Sequence, residues 1–199
     1  AEHFSENASG DDYILWNNYY DYQFTNADKV DFFIVATDAQ KSILEQQFKQ
    51  YTDKCPKIAT IPVGSLDQLT YPKGPRKPFS MITASRLATE KHLDWLVKAT
   101  VKAHDQLADL TLDIYGKGGE EAKLRRMIEE AGAQDYIRLK GHADLSRIYT
   151  GYELYLTAST SEGFGLTLME AVGSGLPLIG FDVRYGNQTF IQDGKNGYL

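Results

Sequence analysis

Between Glu162 and Glu170 the chain reads Glu-Gly-Phe-Gly-Leu-Thr-Leu-Met-Glu, two carboxylates eight positions apart with a glycine-flanked turn and a helical pattern between them. A helix that starts inside such a stretch offers backbone N–H groups to an anion, and glycine lets a ligand approach the backbone closely. The expectation is that Gly163 forms the turn, that the N–H groups of Phe164, Gly165 and Leu166 point at the anion, and that Thr167 sits in the first helical turn. Eight residues would span about 12 Å within one continuous helix. Because Glu162 precedes the helix, the two carboxylates are free to do different work. A carboxylate accepts pairs of hydroxyl donors, and a negative group beside an oxocarbenium-like centre lowers its energy.

A second cluster lies upstream, where Ser85-Arg86-Leu87-Ala88-Thr89-Glu90-Lys91 follows an apolar run. Arginine presents a planar fork to phosphate oxygens and lysine a mobile point charge, so Arg86 and Lys91 suit a diphosphate carrying about two negative charges. Gly116-Lys117-Gly118-Gly119 falls at another strand end. It lacks the full dinucleotide fingerprint because Glu121 stands where the third glycine would be, and no phosphate-loop lysine motif occurs. Gly116 is therefore expected in a tight loop near the ligand. Lys140-Gly141-His142 occupies a further strand end, with Gly141 and His142 as candidate ligand contacts. His3, His92 and His104 share no metal-ligand spacing and no D-x-D motif is present, so neither a metal nor a cofactor is expected.

These residues must be held by an ordered set of elements. Ser65–Pro78 holds Pro72, Gly74, Pro75 and Pro78 with no apolar periodicity, and reads as a linker with a domain boundary near Asp67 to Lys77. After it, strands are expected at Phe79–Ala84, Leu110–Tyr115, Ile137–Lys140, Leu154–Thr157 and Leu176–Gly180. Helices are expected at Leu93–Leu107, Glu120–Glu130, Ala143–Thr150 and Leu166–Ser174, and a long polar loop, containing Asp182 to Asn187, after Gly180. Such alternation implies a parallel, doubly wound sheet whose ligand lies beyond the carboxyl ends of the strands, so the loops after Ala84, Tyr115, Lys140 and Thr157 should line one site. Before the linker, the aromatic-rich Asp11–Asn26 reads as a helix, Val30–Ala36 as a strand buried on both faces, and Lys57–Pro62 as another strand. A helix capped by Thr37 or Asp38 runs between those two strands to near Tyr51.

Composition narrows the function classes. A net charge of -6 argues against a general nucleic-acid binder, since a polyanion demands basic surface. The lone Cys55 excludes an intrachain disulfide and fits a reducing, cytoplasmic setting. No apolar run approaches the roughly 20 residues of a membrane span. The start of the chain in a loop-like segment and its stop at Asn196-Gly197-Tyr198-Leu199 read as a piece of a larger protein.

The E-x7-E segment and Ser85–Asp94 together resemble the retaining GT-B glycosyltransferases of family four. A narrower resemblance is carried by Glu2–Asn7, Asp12–Asn18 and Gly180–Gln188. These look like the A-subunit group of peptide O-GlcNAc transferases from Gram-positive accessory Sec systems, and the likeness spans Glu2 to Leu199. The resemblance implies an α/β fold of GT-B type: a Rossmann-like, doubly wound parallel sheet domain over residues 71–199, truncated at its C-terminus, with part of a second such domain over residues 1–70. It implies a nucleotide-sugar donor in the later domain and an acceptor side in the earlier one.

By the same resemblance, Glu170 accepts the ribose hydroxyls, Glu162, Arg86 and Lys91 serve catalysis, and the loop at Gly141 and His142 borders the uracil. His3 is a weak candidate for a first-domain group near the sugar. UDP-GlcNAc is implied as donor, Ser and Thr of a serine-rich repeat adhesin as acceptor, and a homologous B subunit as partner, with room for peripheral association with the inner face of a membrane. Front-face attack, in which the leaving phosphate takes the acceptor proton, is the usual scheme for such enzymes. Two alternatives share the motifs: a wall teichoic acid glycosyltransferase using UDP-GlcNAc, and a catalytically silent substrate-binding subunit. The second is disfavoured by the presence of all four charged residues. The chain alone is expected to bind nucleotide weakly and not to transfer sugar.

Overall fold

Short parallel ladders crossed by helices build the molecule twice over. The computed structural model describes residues 4–6, 12–14, 18–51, 53, 55–64, 71, 74–160, 162–183 and 185–199, and the chain divides into two compact units between Gly64 and Ser65.

In the first unit, β1 (Phe4–Glu6) and β2 (Asp12–Ile14) pair antiparallel and α1 covers Asn18–Thr25. The helix expected from Asp11 is thus shorter, because Asp12–Ile14 is claimed by a ladder to Phe4–Glu6 that local aromatic spacing does not report. β3 (Phe32–Val35), α2 (Asp38–Tyr51) and β4 (Lys57–Thr60) follow, with the two strands parallel and in register from Phe32 opposite Lys57. Thr37 caps α2: its hydroxyl accepts the Gln40 N–H at 3.1 Å while the Gln40 side chain accepts the Thr37 N–H at 3.2 Å, a reciprocal capping box. Phe24, Leu44, Phe48 and Ile58 form the core here, with Phe33 and Val35 packed on it. The strand expected to be buried on both faces is covered on one, since the alternate residues Phe32 and Ile34 are 59% and 67% exposed.

The second unit runs β5 (Ser80–Ala84), α3 (Leu93–His104), β6 (Thr111–Tyr115), α4 (Glu121–Glu130), β7 (Ile137–Gly141), β8 (Leu154–Leu156), α5 (Leu166–Gly173), β9 (Leu178–Ile179), α6 (Gly186–Phe190) and β10 (Gly197–Tyr198). The strands form one parallel sheet in the order β10-β9-β8-β5-β6-β7. Numbered from β5, this is the 3-2-1-4-5-6 order of a doubly wound dinucleotide-type fold, and it reverses between β5 and β8.

Alternate residues of β5 enter opposite cores. Met81 joins Leu93, Leu96, Val97, Leu124 and Ile128 of α3 and α4 on one face, while Ile82 and Ala84 join Leu168 and Ala171 of α5 on the other. All five residues of β5 are buried, as a central parallel strand requires.

Two expectations fail locally. The helix proposed at Ala143–Thr150 is replaced by a turn and a single 3-10 turn at Tyr149–Gly151. The Asp144 carboxylate accepts the Ser146 N–H at 3.0 Å, and the Gly151 N–H donates to the Ile148 carbonyl, so side-chain capping and i-to-i+3 bonds displace the α pattern. Conversely, the loop expected after Gly180 contains α6, held by bonds from the Thr189 and Ile191 N–H groups to the Tyr185 and Asn187 carbonyls. Of the expected linker, Tyr71 and Gly74–Pro78 are described and form neither helix nor strand. Among the described residues no helix is long and apolar enough to cross a membrane.

Candidate functional site

A parallel sheet leaves its binding crevice outside the carboxyl ends of the strands, at the point where strand order reverses. There a cavity of about 590 Å³ opens, within the usual size of a small-ligand site. Ala84, Ser85 and Arg86 line it from the end of β5, Tyr115, Gly116 and Lys117 from β6, His142 to Leu145 from β7, and Thr167 and Glu170 from α5. The loops are knitted to one another: the Ser85 N–H donates to the Tyr115 carbonyl, the Leu87 N–H to Lys117, and the Gly116 N–H to Gly141. Gly116, at φ +135°, is required for this closeness, because a Cβ there would overlap the Ser85 carbonyl oxygen.

Two buried tyrosines outside the lining reach Thr167 and Glu170 of the wall. The fully buried Tyr155 hydroxyl lies 3.0 Å from the Ala84 carbonyl oxygen and 2.8 Å from the Thr167 hydroxyl, and burial pushes its ionisation far above the ordinary phenol range. Tyr149, equally buried, donates its hydroxyl to Oε2 of Glu170 at 3.1 Å. Burial raises the Glu170 carboxyl above its ordinary value, the Tyr149 hydrogen bond opposes that rise, and the negative charge of Asp144 adds to it.

Lys91 and Glu162 stand apart from the cavity wall and hold each other. Their side chains form a direct ion pair, 12% and 15% exposed, and Ser159 donates a further hydrogen bond to the same Glu162 oxygen at 3.1 Å. Arg86 is the more exposed cation, its side chain 77% exposed and paired with Glu90 at 2.9 Å. Lys91 lies in a 3-10 turn at Thr89–Lys91. The backbone then turns left-handed at His92, whose Nε2 meets the Thr160 hydroxyl at 3.0 Å and whose ring stacks on Trp95.

Gly165, at φ +83°, caps α5, leaving the first-turn N–H groups of that helix without intrahelical acceptors. The structure thus brings Arg86, Gly116, His142, Thr167 and Glu170 into one wall. It does not bring Lys91, Glu162, Gly141 or the Gly163–Leu166 turn into that wall. Gly141 instead serves as the backbone acceptor for Gly116, and His3 lies outside the described residues. Sequence reasoning missed Tyr149, Asp144 and Lys117. A tyrosine placed where burial is expected must find a partner for its hydroxyl, which was the available signal for Tyr149. Among the described residues no three His, Cys, Asp or Glu side chains gather as a metal site.

Residues 72–199 match the protein family described as glycosyl transferases group 1. The chain is 88% identical over its whole length to the UDP-N-acetylglucosamine–peptide N-acetylglucosaminyltransferase GtfA subunit of Streptococcus gordonii, covering 39% of that protein. It superposes with a TM-score of 0.91, at 72% identity, on the pneumococcal O-GlcNAc transferase GtfA crystallised with UDP and GlcNAc, covering all of this chain and 39% of that one. A GtfA/B complex superposes with a TM-score of 0.89 at 88% identity, with 100% of this chain and 40% of that one covered. The chain therefore spans about two fifths of the length of the relatives it matches.

Proposed function

The chain belongs to the glycosyl transferases group 1 family, and from that premise we propose that it forms the donor-binding part of a retaining enzyme that moves N-acetylglucosamine from UDP-GlcNAc to Ser or Thr of a serine-rich repeat protein. The observation that carries this reading is the cavity at the sheet's reversal point, where the half-buried Glu170 carboxylate and the Arg86 guanidinium line one space of nucleotide size. Likeness to a GtfA that binds UDP and GlcNAc supports the donor, and likeness to a GtfA/B complex supports a homologous B subunit as partner.

In this reading Glu170 accepts the ribose hydroxyls and the Gly141–His142 loop borders the uracil. Arg86, Lys91 and the N–H groups at the start of α5 neutralise the diphosphate, which leaves no step that a metal must perform. The bond from the sugar's anomeric carbon to the phosphate oxygen breaks with its electron pair leaving on UDP. The acceptor hydroxyl oxygen bonds to the same face of that carbon, and its proton passes to the departing phosphate oxygen. Glu162, held by Lys91 and Ser159, lends negative charge beside the oxocarbenium-like centre. The reaction is assigned to the cytoplasmic side.

Calorimetric binding of UDP, ADP and GDP to this chain and to its Glu170→Ala and Arg86→Ala variants, without added metal, tests the donor half. A preference for UDP that both substitutions weaken is the expected result, and equal binding of the three nucleotides would refute it. The acceptor half is tested with the longer protein and its B subunit. Transfer to a serine-rich peptide supports the reading, and transfer to a polyol-phosphate polymer instead overturns it.

A further inference from the structure

Thr167 and Glu170 stand three residues apart on α5, so both face the cavity, and each is met by the hydroxyl of a different buried tyrosine. Tyr149 does not line the cavity. It is 0% exposed, starts the 3-10 turn after Asp144 and Leu145, and its ring packs against that of Tyr155 with centroids 6.2 Å apart. The chain segment that puts Asp144 and Leu145 into the wall therefore also sets a hydrogen-bond donor behind the Glu170 carboxylate. An ionised carboxylate has about four acceptor sites. One of them, on Oε2, is taken by Tyr149, and Glu170 itself lines the cavity.

We infer that Tyr149 is a positioning residue of the donor site: it holds Glu170 in the orientation and ionised form that accept the two ribose hydroxyls of a uridine diphosphate. The inference rests on the reading of Glu170 as the ribose acceptor. The groups that bear on Glu170 are Asp144, whose negative charge opposes ionisation, Tyr149, which favours it, Tyr155 beside Tyr149, and Arg86, Lys117 and His142 in the same wall. Burial already raises this carboxyl. Loss of the tyrosine donor raises it further, so that ribose binding must be accompanied by deprotonation over a wider range of acidic pH.

The test is calorimetry of the full chain with UDP and with 2′,3′-dideoxy-UDP across the acidic range, using wild type, Tyr149→Phe and Glu170→Gln. Tyr149→Phe should weaken UDP about tenfold, as expected for one hydrogen bond to a charged group. It should leave the dideoxy nucleotide unchanged and move the acid limb of UDP binding to higher pH. A merely structural role would weaken both nucleotides alike and leave the limb in place, which overturns the inference. If Glu170→Gln also leaves the preference for UDP over dideoxy-UDP intact, the ribose role of Glu170 itself falls, and the inference with it. A second measurement needs no variant: in wild type the Tyr149 Cζ resonance should shift at the Glu170 midpoint, and an unresponsive resonance refutes the contact.

Discussion

The Glu170 carboxyl lies above its ordinary value, because burial penalises the charge more than Tyr149 relieves it and Asp144 adds repulsion. The sign follows: a carboxyl whose folded pKa is raised favours folding when protonated, and that contribution is lost as pH rises from the ordinary carboxylate value through the raised folded one. Glu170→Gln should therefore be more stable than wild type at neutral pH, with the difference closing under acid. Melting temperature against pH checks this, and an unchanged difference would contradict it. Lys91 and Glu162 present the opposite case, a nearly buried pair in which each charge is satisfied by the other. Lys91→Ala strands the Glu162 carboxylate and should cost about 3 kcal/mol, near the lower end for a broken buried pair. Lys91→Met with Glu162→Gln should recover most of that in denaturant midpoints.

The element that positions the site is α5, whose two ends are both specified by particular residues. At its start Gly165 adopts φ +83°, and a Cβ there would come within 2.7 Å of the Leu168 Cδ1 atom. Gly165→Ala should cost about 1–2 kcal/mol from the left-handed conformation alone, and should weaken UDP as well, because the first-turn N–H groups move with the cap. Denaturation and calorimetry on the same variant check both effects. At its other end the Arg76 guanidinium donates to the Gly175 carbonyl at 2.7 Å, a cation at a helix C-terminus. The helix is short, and its face toward Tyr149 and Tyr155 explains its order better than its own propensity does.

Every described residue that lines the cavity belongs to the Ser65–Leu199 unit. UDP should therefore slow amide hydrogen exchange in residues 84–87, 115–118, 142–145 and α5, and leave β3, α2 and β4 unchanged. Equal protection in both units would show that the first unit takes part in nucleotide binding. The net charge of -6 sits beside a site with a few local cations, which is what a small diphosphate needs and a nucleic acid does not.

Much of this was legible in the residues alone, for definite reasons. The strands around Ile82 and Ile114 are buried on both faces, and short strand-like runs alternate with amphipathic helices along the chain, so the doubly wound sheet follows from their order. Arg86, Glu162 and Glu170 stood out by type and spacing, whereas their division of labour did not. Which of them share a wall is decided by loop closure at Gly116 and by the turn at Asp144–Ser146, where a side-chain cap overrides a helical pattern. The pairing of Lys91 with Glu162 joins residues 71 positions apart, and that of Tyr149 with Glu170 joins residues 21 apart. The same holds for β1 and β2, whose ladder replaced the start of an expected helix. Hydrophobic period is a property of neighbours along the chain, while hydrogen-bond partners of buried polar groups are chosen by whatever the folded backbone sets beside them.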